Sequence, residues 1–294
     1  MTSTRLTIIA GVLVTLAMSA PANAQGKSGQ SHGNGGAKNS PNQSALPPAV
    51  SLSGPTTTAP FAWMDNATLM TSGSVWVGLS MVRWSGGGVS EVLVPVVDAS
   101  IGLTPRVQLG ATVPRVGGSS DPAGPEGGLG TTFVNAKISV LENEARAIRV
   151  AVSPTLEILS RAAAQSAPAG QARVQWGLPV SVDFDRGTRR FYGSAGYFSP
   201  GVWYAGAGAG TVVRERVGVS ISFSRAWSST SSLDPLISAP SRNDLSGGVS
   251  MDLTPNVGVF GSIGRTIGTS AENGSGTTLS VGLSLTAAPH ALHP

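Results

Sequence analysis

Apolar and small polar residues alternate strictly in the stretch Leu279-Ser280-Val281-Gly282-Leu283-Ser284-Leu285. The same alternation occurs in Val107–Val113, where Val107, Leu109, Ala111 and Val113 are separated by Gln108, Gly110 and Thr112. Successive side chains of a β-strand point to opposite faces, so a period of two predicts a strand with one apolar and one polar face. The pattern recurs about twelve times in residues 73–286, which predicts an all-β protein.

The lengths of the connections between these strands predict how they are arranged. We predict strands at 73–84, 89–101, 106–116, 130–141, 147–159, 173–185, 190–199, 202–213, 217–227, 244–253, 257–267 and 276–286. The connections after even-numbered strands are short, and several after odd-numbered strands are long, as at Gly117–Leu129 and Ser228–Asn243. Outer-membrane barrels have short periplasmic turns and longer external loops. The sequence therefore predicts a single transmembrane antiparallel up-and-down β-barrel of about 12 strands over residues 73–286.

Residues outside the predicted barrel fall into three segments. Residues 1–24 resemble a cleaved signal peptide, with Arg5, the apolar run Leu6–Ala20 and the cleavage site Ala22-Asn23-Ala24. Residues 25–72 are rich in Gly, Ser and Pro, which predicts a disordered periplasmic segment. Residues 287–294 form a C-terminal tail. This arrangement predicts a protein of the bacterial outer membrane, secreted across the inner membrane.

The composition fits a barrel whose outer surface meets lipid. Charged residues make up 12% of the chain, and the mean hydropathy is +0.14. A soluble β-sandwich is the alternative, but its outer faces would need more charge. The absence of cysteine excludes disulfides, a lipoprotein anchor and thiolate chemistry. Arginines are scattered over many segments rather than forming a basic patch, so we expect no binding to nucleic acid.

Aromatic residues cluster near the predicted external strand ends. They are Trp84, Phe133, Trp176, Tyr197, Trp203 and Trp227. Outer-membrane barrels carry aromatic girdles at the level of the lipid headgroups. We therefore predict that these six side chains face outer-membrane lipid.

The histidines argue against an enzyme. His32 falls in the predicted disordered segment, and His290 and His293 fall in the tail, so no predicted strand or external loop contains a histidine. Membrane-embedded hydrolases use a histidine in the barrel wall or rim as general base. Asp121 and Glu126 share one predicted external loop, and we interpret them as solvated loop residues rather than a catalytic pair of carboxylates. We expect no catalytic residues, no cofactor and no metal site.

The inward half of the alternation is mostly Gly and Ser, which leaves space inside the barrel. A twelve-stranded barrel is roughly 24 Å across its backbone, so a water-filled passage is compatible with such a lining. Charges of both signs share the inward parity: Arg106, Lys137, Arg149, Glu157, Asp183 and Asp252. They fit either a selectivity lining or salt bridges that hold the wall, and Arg149 could pair with Asp183 on the next strand.

These features predict a channel for passive passage of small solutes. The alternative is a non-conducting structural or interaction barrel with external binding loops. The expected partners are outer-membrane lipid, a small-molecule solute and the barrel-assembly machinery. No sequence feature specifies an oligomeric state.

Three short segments resemble an outer-membrane transporter family associated with phenol-degradation (meta-cleavage) pathways. They are the turns into strands at Leu103–Gly110 and Leu253–Val259, and the Gly-rich stretch Gly128–Lys137. Thr131 departs from the family, which usually has an acidic residue there, and the last strand lacks a terminal aromatic. The resemblance implies a small barrel that passes small aromatic or hydrophobic molecules, and it assigns a role only to Lys137.

Overall fold

The computed structural model describes residues 66–86, 88–120, 127–161, 164, 172–199, 201–214, 216–228, 242–269 and 275–287. Several predicted features lie outside the described residues: the signal peptide, residues 25–65, the three histidines, Asp121, Glu126 and residues 288–294.

Fourteen strands form one sheet. They are β1 Val75–Gly86, β2 Val89–Thr104, β3 Val107–Ser119, β4 Gly128–Leu129, β5 Thr132–Asn143, β6 Ile148–Val152, β7 Thr155–Ile158, β8 Val174–Arg186, β9 Arg189–Phe198, β10 Val202–Arg214, β11 Val217–Ser228, β12 Arg242–Thr254, β13 Val257–Thr269 and β14 Gly276–Ala287.

The sheet closes into a barrel of twelve wall positions. The first strand pairs with the last, and the register runs without a shift from Val75 opposite Ala287 to Gly86 opposite Gly276. All pairings between neighbouring strands are antiparallel, as an up-and-down order requires. The predicted twelve-stranded antiparallel barrel is thus confirmed, and the soluble sandwich is excluded.

Fourteen strands fill twelve wall positions because two positions each contain two strands. β6 and β7 share one position, and β4 and β5 share another. The predicted strand 147–159 is broken at Ser153 and Pro154 into β6 and β7, which both pair with β5 and β8. Proline has no N–H to donate to a sheet, so the ladder is interrupted there. The two-residue β4 pairs with Arg115 and Val116 of β3 and continues the position of β5.

The two ends of the barrel differ in their connections. One end, called the turn end, carries the short links 105–106, 144–147, 187–188, 215–216 and 255–256. The other, the loop end, carries the links 87–88, 120–127, 159–173, 199–201, 229–241 and 270–275. The link 187–188 begins with Gly187 at φ +60°, a conformation that glycine adopts readily and that tight hairpins need.

The outer surface of the barrel is apolar on all sides. On β8, Trp176 and Val182 are 52% and 44% exposed, and on β14 Val281 and Leu285 are both 56% exposed. A soluble monomer rarely exposes so continuous an apolar surface, whereas a barrel in a bilayer requires it. No helix among the described residues is long and apolar enough to cross a membrane.

Adjacent residues in the middle of β11 test this assignment of the faces. Ile221 points outward and is 57% exposed, whereas Ser222 points inward and is half-buried. In a bilayer, Ile221→Arg should lower the free energy of unfolding by about 2–4 kcal/mol, because a guanidinium would be moved into lipid. Ser222→Arg should lower the free energy of unfolding much less, because residue 222 faces the lumen. Denaturant titration of both variants folded into lipid vesicles measures the difference, and equal losses would contradict the assignment.

Candidate functional site

Residues 66–74 lie inside the barrel, and we call them the lumen segment. Asn66, Ala67, Met70 and Ser74 in this segment are all buried. The segment enters at the turn end, where Gly73 N donates to Gly102 O at 2.7 Å and Gly102 N donates to Ser74 O at 3.0 Å. Met70 then packs against Trp76, which points inward from β1. Part of the segment predicted to be disordered therefore fills part of the lumen.

Two side chains on neighbouring strands hold the main chain of the lumen segment. Gln108 on β3 and Lys137 on β5 are register partners, and both are buried. The Gln108 Oε1 accepts from Met70 N at 2.8 Å, and the Lys137 Nζ donates to Asn66 O at 2.5 Å. Lys137, predicted to line the lumen, thus binds a backbone carbonyl inside it.

A second attachment involves an ion pair on the far side of the segment. The Arg190 Nη2 contacts the Asp183 Oδ2, and the two side chains are 6% and 0% exposed. Thr68 Oγ1 donates to the same carboxylate oxygen at 2.8 Å and accepts from Arg190 Nη2 at 2.6 Å. The lumen segment is therefore attached to β8 and β9 through one threonine, as well as to β3 and β5.

A further group of charged side chains lies at the turn end of β5, β6 and β8. The Arg149 guanidinium contacts Asp185 and lies 3.4 Å from the Glu142 Oε1. Arg149 and Asp183 are register partners on adjacent strands, as predicted. Their side chains, however, form ion pairs with Asp185 and Arg190, respectively. The proposed Arg149–Asp183 pair is thus wrong, because Arg190 occupies the Asp183 carboxylate and Asp185 lies within reach of Arg149.

The inner faces of the two halves of the barrel differ in accessibility. On β3, β5 and β8 the inward residues are buried, including Thr112, Asn135 and Ser181. On β10 to β13 many inward residues are only half-buried, and we call these the Gly/Ser wall: Gly206, Gly208, Gly210, Ser220, Ser222, Ser246, Gly248 and Ser262. Among the described residues, the inner surface that solvent reaches therefore lies mainly along the Gly/Ser wall, where the Tyr192 side chain of β9 covers Gly208.

Apolar side chains point inward near the loop end. Phe133, Phe198, Tyr204 and Ala226 form one buried cluster, to which β5, β9, β10 and β11 contribute. Val82, Leu93, Val96 and Val116 form another on β1 to β3. The inward side chains at the loop end are thus partly apolar, and those at the turn end are polar apart from the Met70–Trp76 contact.

Two of the six aromatic residues assigned to a lipid-facing girdle belong to the lumen. Trp84 and Phe133 are only 3% and 2% exposed. Trp84 shares the inward parity of Gly78 and Ser80 on β1, and Phe133 shares that of Lys137 on β5. The prediction that these two rings face lipid is therefore wrong.

The other four aromatic residues lie at the loop end with exposed or half-buried side chains. The ring of Tyr197 lies 5.4 Å from that of Trp176 and 5.0 Å from that of Trp203. Trp227 is the register partner of Trp203. Their membership of a girdle at the lipid headgroups stays a prediction.

The remaining predicted lumen residues have different positions. Arg106 lies exposed in the turn before β3, so its assignment to the lumen lining is wrong. Asp252 is half-buried at the turn end beside Gly258. Glu157 is fully buried on β7. Thr131, the departure from the family pattern, is buried and accepts a hydrogen bond from Ser160 N at 3.1 Å.

The lumen segment and its contacts were missed by the sequence reasoning. Residues 66–74 show no strand period, and their binding partners come from strands far apart in the chain. The available signal was the change in composition after Pro60, where a stretch poor in bulky apolar residues is followed by Phe61, Trp63, Met64, Leu69 and Met70. Among the described residues, no three His, Cys, Asp or Glu side chains are grouped to hold a metal ion.

Solved structures with a similar fold are outer-membrane barrels. An outer membrane channel from Pseudomonas putida F1 matches with a TM-score of 0.57 at 14% sequence identity, over 75% of this chain and 97% of that chain. The NanC porin matches with a TM-score of 0.52 at 9% identity, over 71% of this chain and 98% of that chain. No protein-family model and no curated protein matches the sequence. The fold is thus that of outer-membrane porins and channels.

Proposed function

We propose that this protein is an outer-membrane channel through which small solutes pass along the Gly/Ser wall. The observation that carries the proposal is the half-buried state of inward Gly and Ser residues on β10 to β13, beside buried inward residues on β3, β5 and β8. Small polar side chains that are neither buried by neighbours nor exposed to lipid line a water-accessible space. The fold shared with porins and channels supports the same function, as does the apolar outer surface.

A bulky side chain on the Gly/Ser wall tests the path of the solute. Gly248 faces the lumen, and its nearest neighbour would be the Ser220 hydroxyl, 3.1 Å from an added Cβ. Gly248→Phe should lower the single-channel conductance in planar bilayers by about half, because the ring narrows the passage. Val249→Phe is the matched control, since Val249 is 50% exposed on the outer face. Unchanged conductance in Gly248→Phe would contradict the proposed path.

The class of solute rests on the family resemblance. If the chain acts like the transporters associated with phenol-degradation pathways, small aromatic molecules pass faster than sugars of equal size. Influx of phenylalanine and of a hexose, which are similar in size and carry no net charge, into vesicles containing the barrel distinguishes the two. Equal influx of both would support a general pore.

The lumen segment favours a second candidate, a non-conducting structural or interaction barrel. It is attached to β2, β3, β5, β8 and β9, so it covers much of the inner face at the turn end. Such a barrel would show no discrete conductance steps, with or without the lumen segment. In that case the links at the loop end would carry the function.

A further inference from the structure

One acidic side chain near the loop end is buried without a partner. Glu157 on β7 is fully buried, and within the described part of the chain neither of its carboxylate oxygens has a hydrogen-bond partner. Burying a charge without a partner is costly, so a buried carboxylate is normally paired or hydrogen-bonded. Asp183, in contrast, has both an arginine and a threonine. Both carboxylate oxygens of Glu157 can therefore still accept hydrogen bonds.

The neighbours of Glu157 define what kind of ligand would fit. Glu157 is the register partner of Gln175 on β8, whose buried Nε2 also has no partner among the described residues. On its other side, its register partner is Phe133 on β5. Side chains directly opposite each other on paired strands have Cβ atoms about 5 Å apart. The carboxylate, the amide and a phenyl ring thus share one level of the inner wall.

A second phenyl ring lies one step toward the turn end. Phe198 on β9 is the register partner of Gly177, and its ring lies so close to Gly177 that a Cβ there would overlap it. Phe198 belongs to the same buried cluster as Phe133. The absence of a side chain at Gly177 lets this ring lie over β8, two residues along the strand from Gln175.

This combination of groups matches an organic ammonium ion. A single carboxylate beside one amide offers too few oxygen ligands for calcium or magnesium, which take six or more. An ammonium group can instead donate hydrogen bonds to the carboxylate while aromatic faces attract its charge. The apolar cluster around it would accommodate a hydrocarbon or aromatic substituent.

We propose that Glu157, Gln175, Phe133 and Phe198 form a binding site for small organic ammonium ions in the loop-end half of the lumen. The site deepens the proposed channel function, since it lies in the same lumen and would favour cationic solutes. It makes a distinct claim, because binding is measured on the barrel in detergent, where no solute needs to pass through.

Benzylammonium is the probe, and isothermal titration calorimetry on the full mature chain is the measurement. The wild type should bind benzylammonium and should not bind benzyl alcohol, which has the same ring without the charge. Glu157→Gln should weaken binding about thirtyfold or more, because the buried charge partner of the ammonium is removed. The matched control is Glu142→Gln, since Glu142 is an exposed carboxylate on β5 at the turn end, away from this site.

A second variant tests the same site by adding a charge instead of removing one. Gln175→Arg places a guanidinium beside Glu157 and should abolish benzylammonium binding while giving the carboxylate a partner. Folding of each variant is checked by the shift of its band on heating in electrophoresis. Equal binding of benzyl alcohol, no binding by the wild type, or unchanged binding in Glu157→Gln or Gln175→Arg would each overturn the proposal. Channel conductance without ammonium binding would overturn this site alone and leave the channel function standing.

Discussion

A variant that lacks residues 25–72 should show a single-channel conductance about twofold or more above that of residues 25–294, the chain expected after signal-peptide cleavage and called here the full mature chain. The deletion removes most of the lumen segment and keeps Gly73 and Ser74, which both hydrogen-bond to Gly102. A chain crossing a barrel roughly 24 Å wide occupies a large share of the space left by the wall side chains. Planar-bilayer recordings measure the step size.

The control for this deletion is a shorter one that removes residues 25–64. It keeps Asn66, Thr68 and Met70, the residues through which the lumen segment bonds to the wall. Its conductance should equal that of the full mature chain. If both deletions gave wild-type step sizes, the lumen segment would not obstruct the passage.

Asp183→Asn should lower the free energy of unfolding by about 3 kcal/mol, because it leaves the buried Arg190 guanidinium without its carboxylate. The pair is well shielded, with side-chain exposures of 0% and 6%, so screening by water is weak. Asp185 lies 3.5 Å from the Arg190 Nε and recovers part of the interaction, which places the loss at the lower end of the usual range. Urea titration of the barrel in lipid vesicles gives the value.

Glu142→Gln is the matched control for the buried pair. Glu142 also contacts an arginine, Arg149, but the two side chains are 51% and 31% exposed, so its removal should cost at most about 1 kcal/mol. The double variant Asp183→Asn with Arg190→Gln should be more stable than Asp183→Asn alone, since no charge is left buried. A double variant as unstable as the single one would show that the pair matters through packing rather than charge.

The barrel could be predicted from the sequence because the two faces of each strand meet different surroundings. In β14, Leu279, Val281 and Leu283 are exposed on the outer surface. Ser280 and Gly282 between them point inward. Alternation of this kind fixes both the strand and its orientation. It does not show a break such as that at Pro154, where the period continues while the ladder stops.

The errors on aromatic residues came from giving strand ends more weight than parity. Trp84 has the parity of Gly78 and Ser80, two of the small residues in the inward half of the alternation, and it points inward with them. Phe133 likewise has the parity of Lys137. Arg106 failed for a different reason, since β3 begins one residue later than predicted and leaves it in a turn.

The inner contacts could not be predicted because they join residues with no local relationship. Thr68 meets Asp183 and Arg190 only after the barrel has closed around it. Lys137 binds the backbone carbonyl of Asn66. Every residue has such a carbonyl, so the sequence does not indicate which one is bound. The unpartnered state of Glu157 is also a property of the packed lumen rather than of the sequence around it.

The closing pair of strands sets the order in which this protein can assemble. β1 and β14 pair along their whole lengths, although nearly the entire barrel sequence separates them. Contacts between residues so distant in sequence form slowly and late. The first strand therefore keeps one edge unpaired until the last strand has been synthesised. An unpaired strand edge promotes aggregation, so this interval is when the chain is most prone to aggregate.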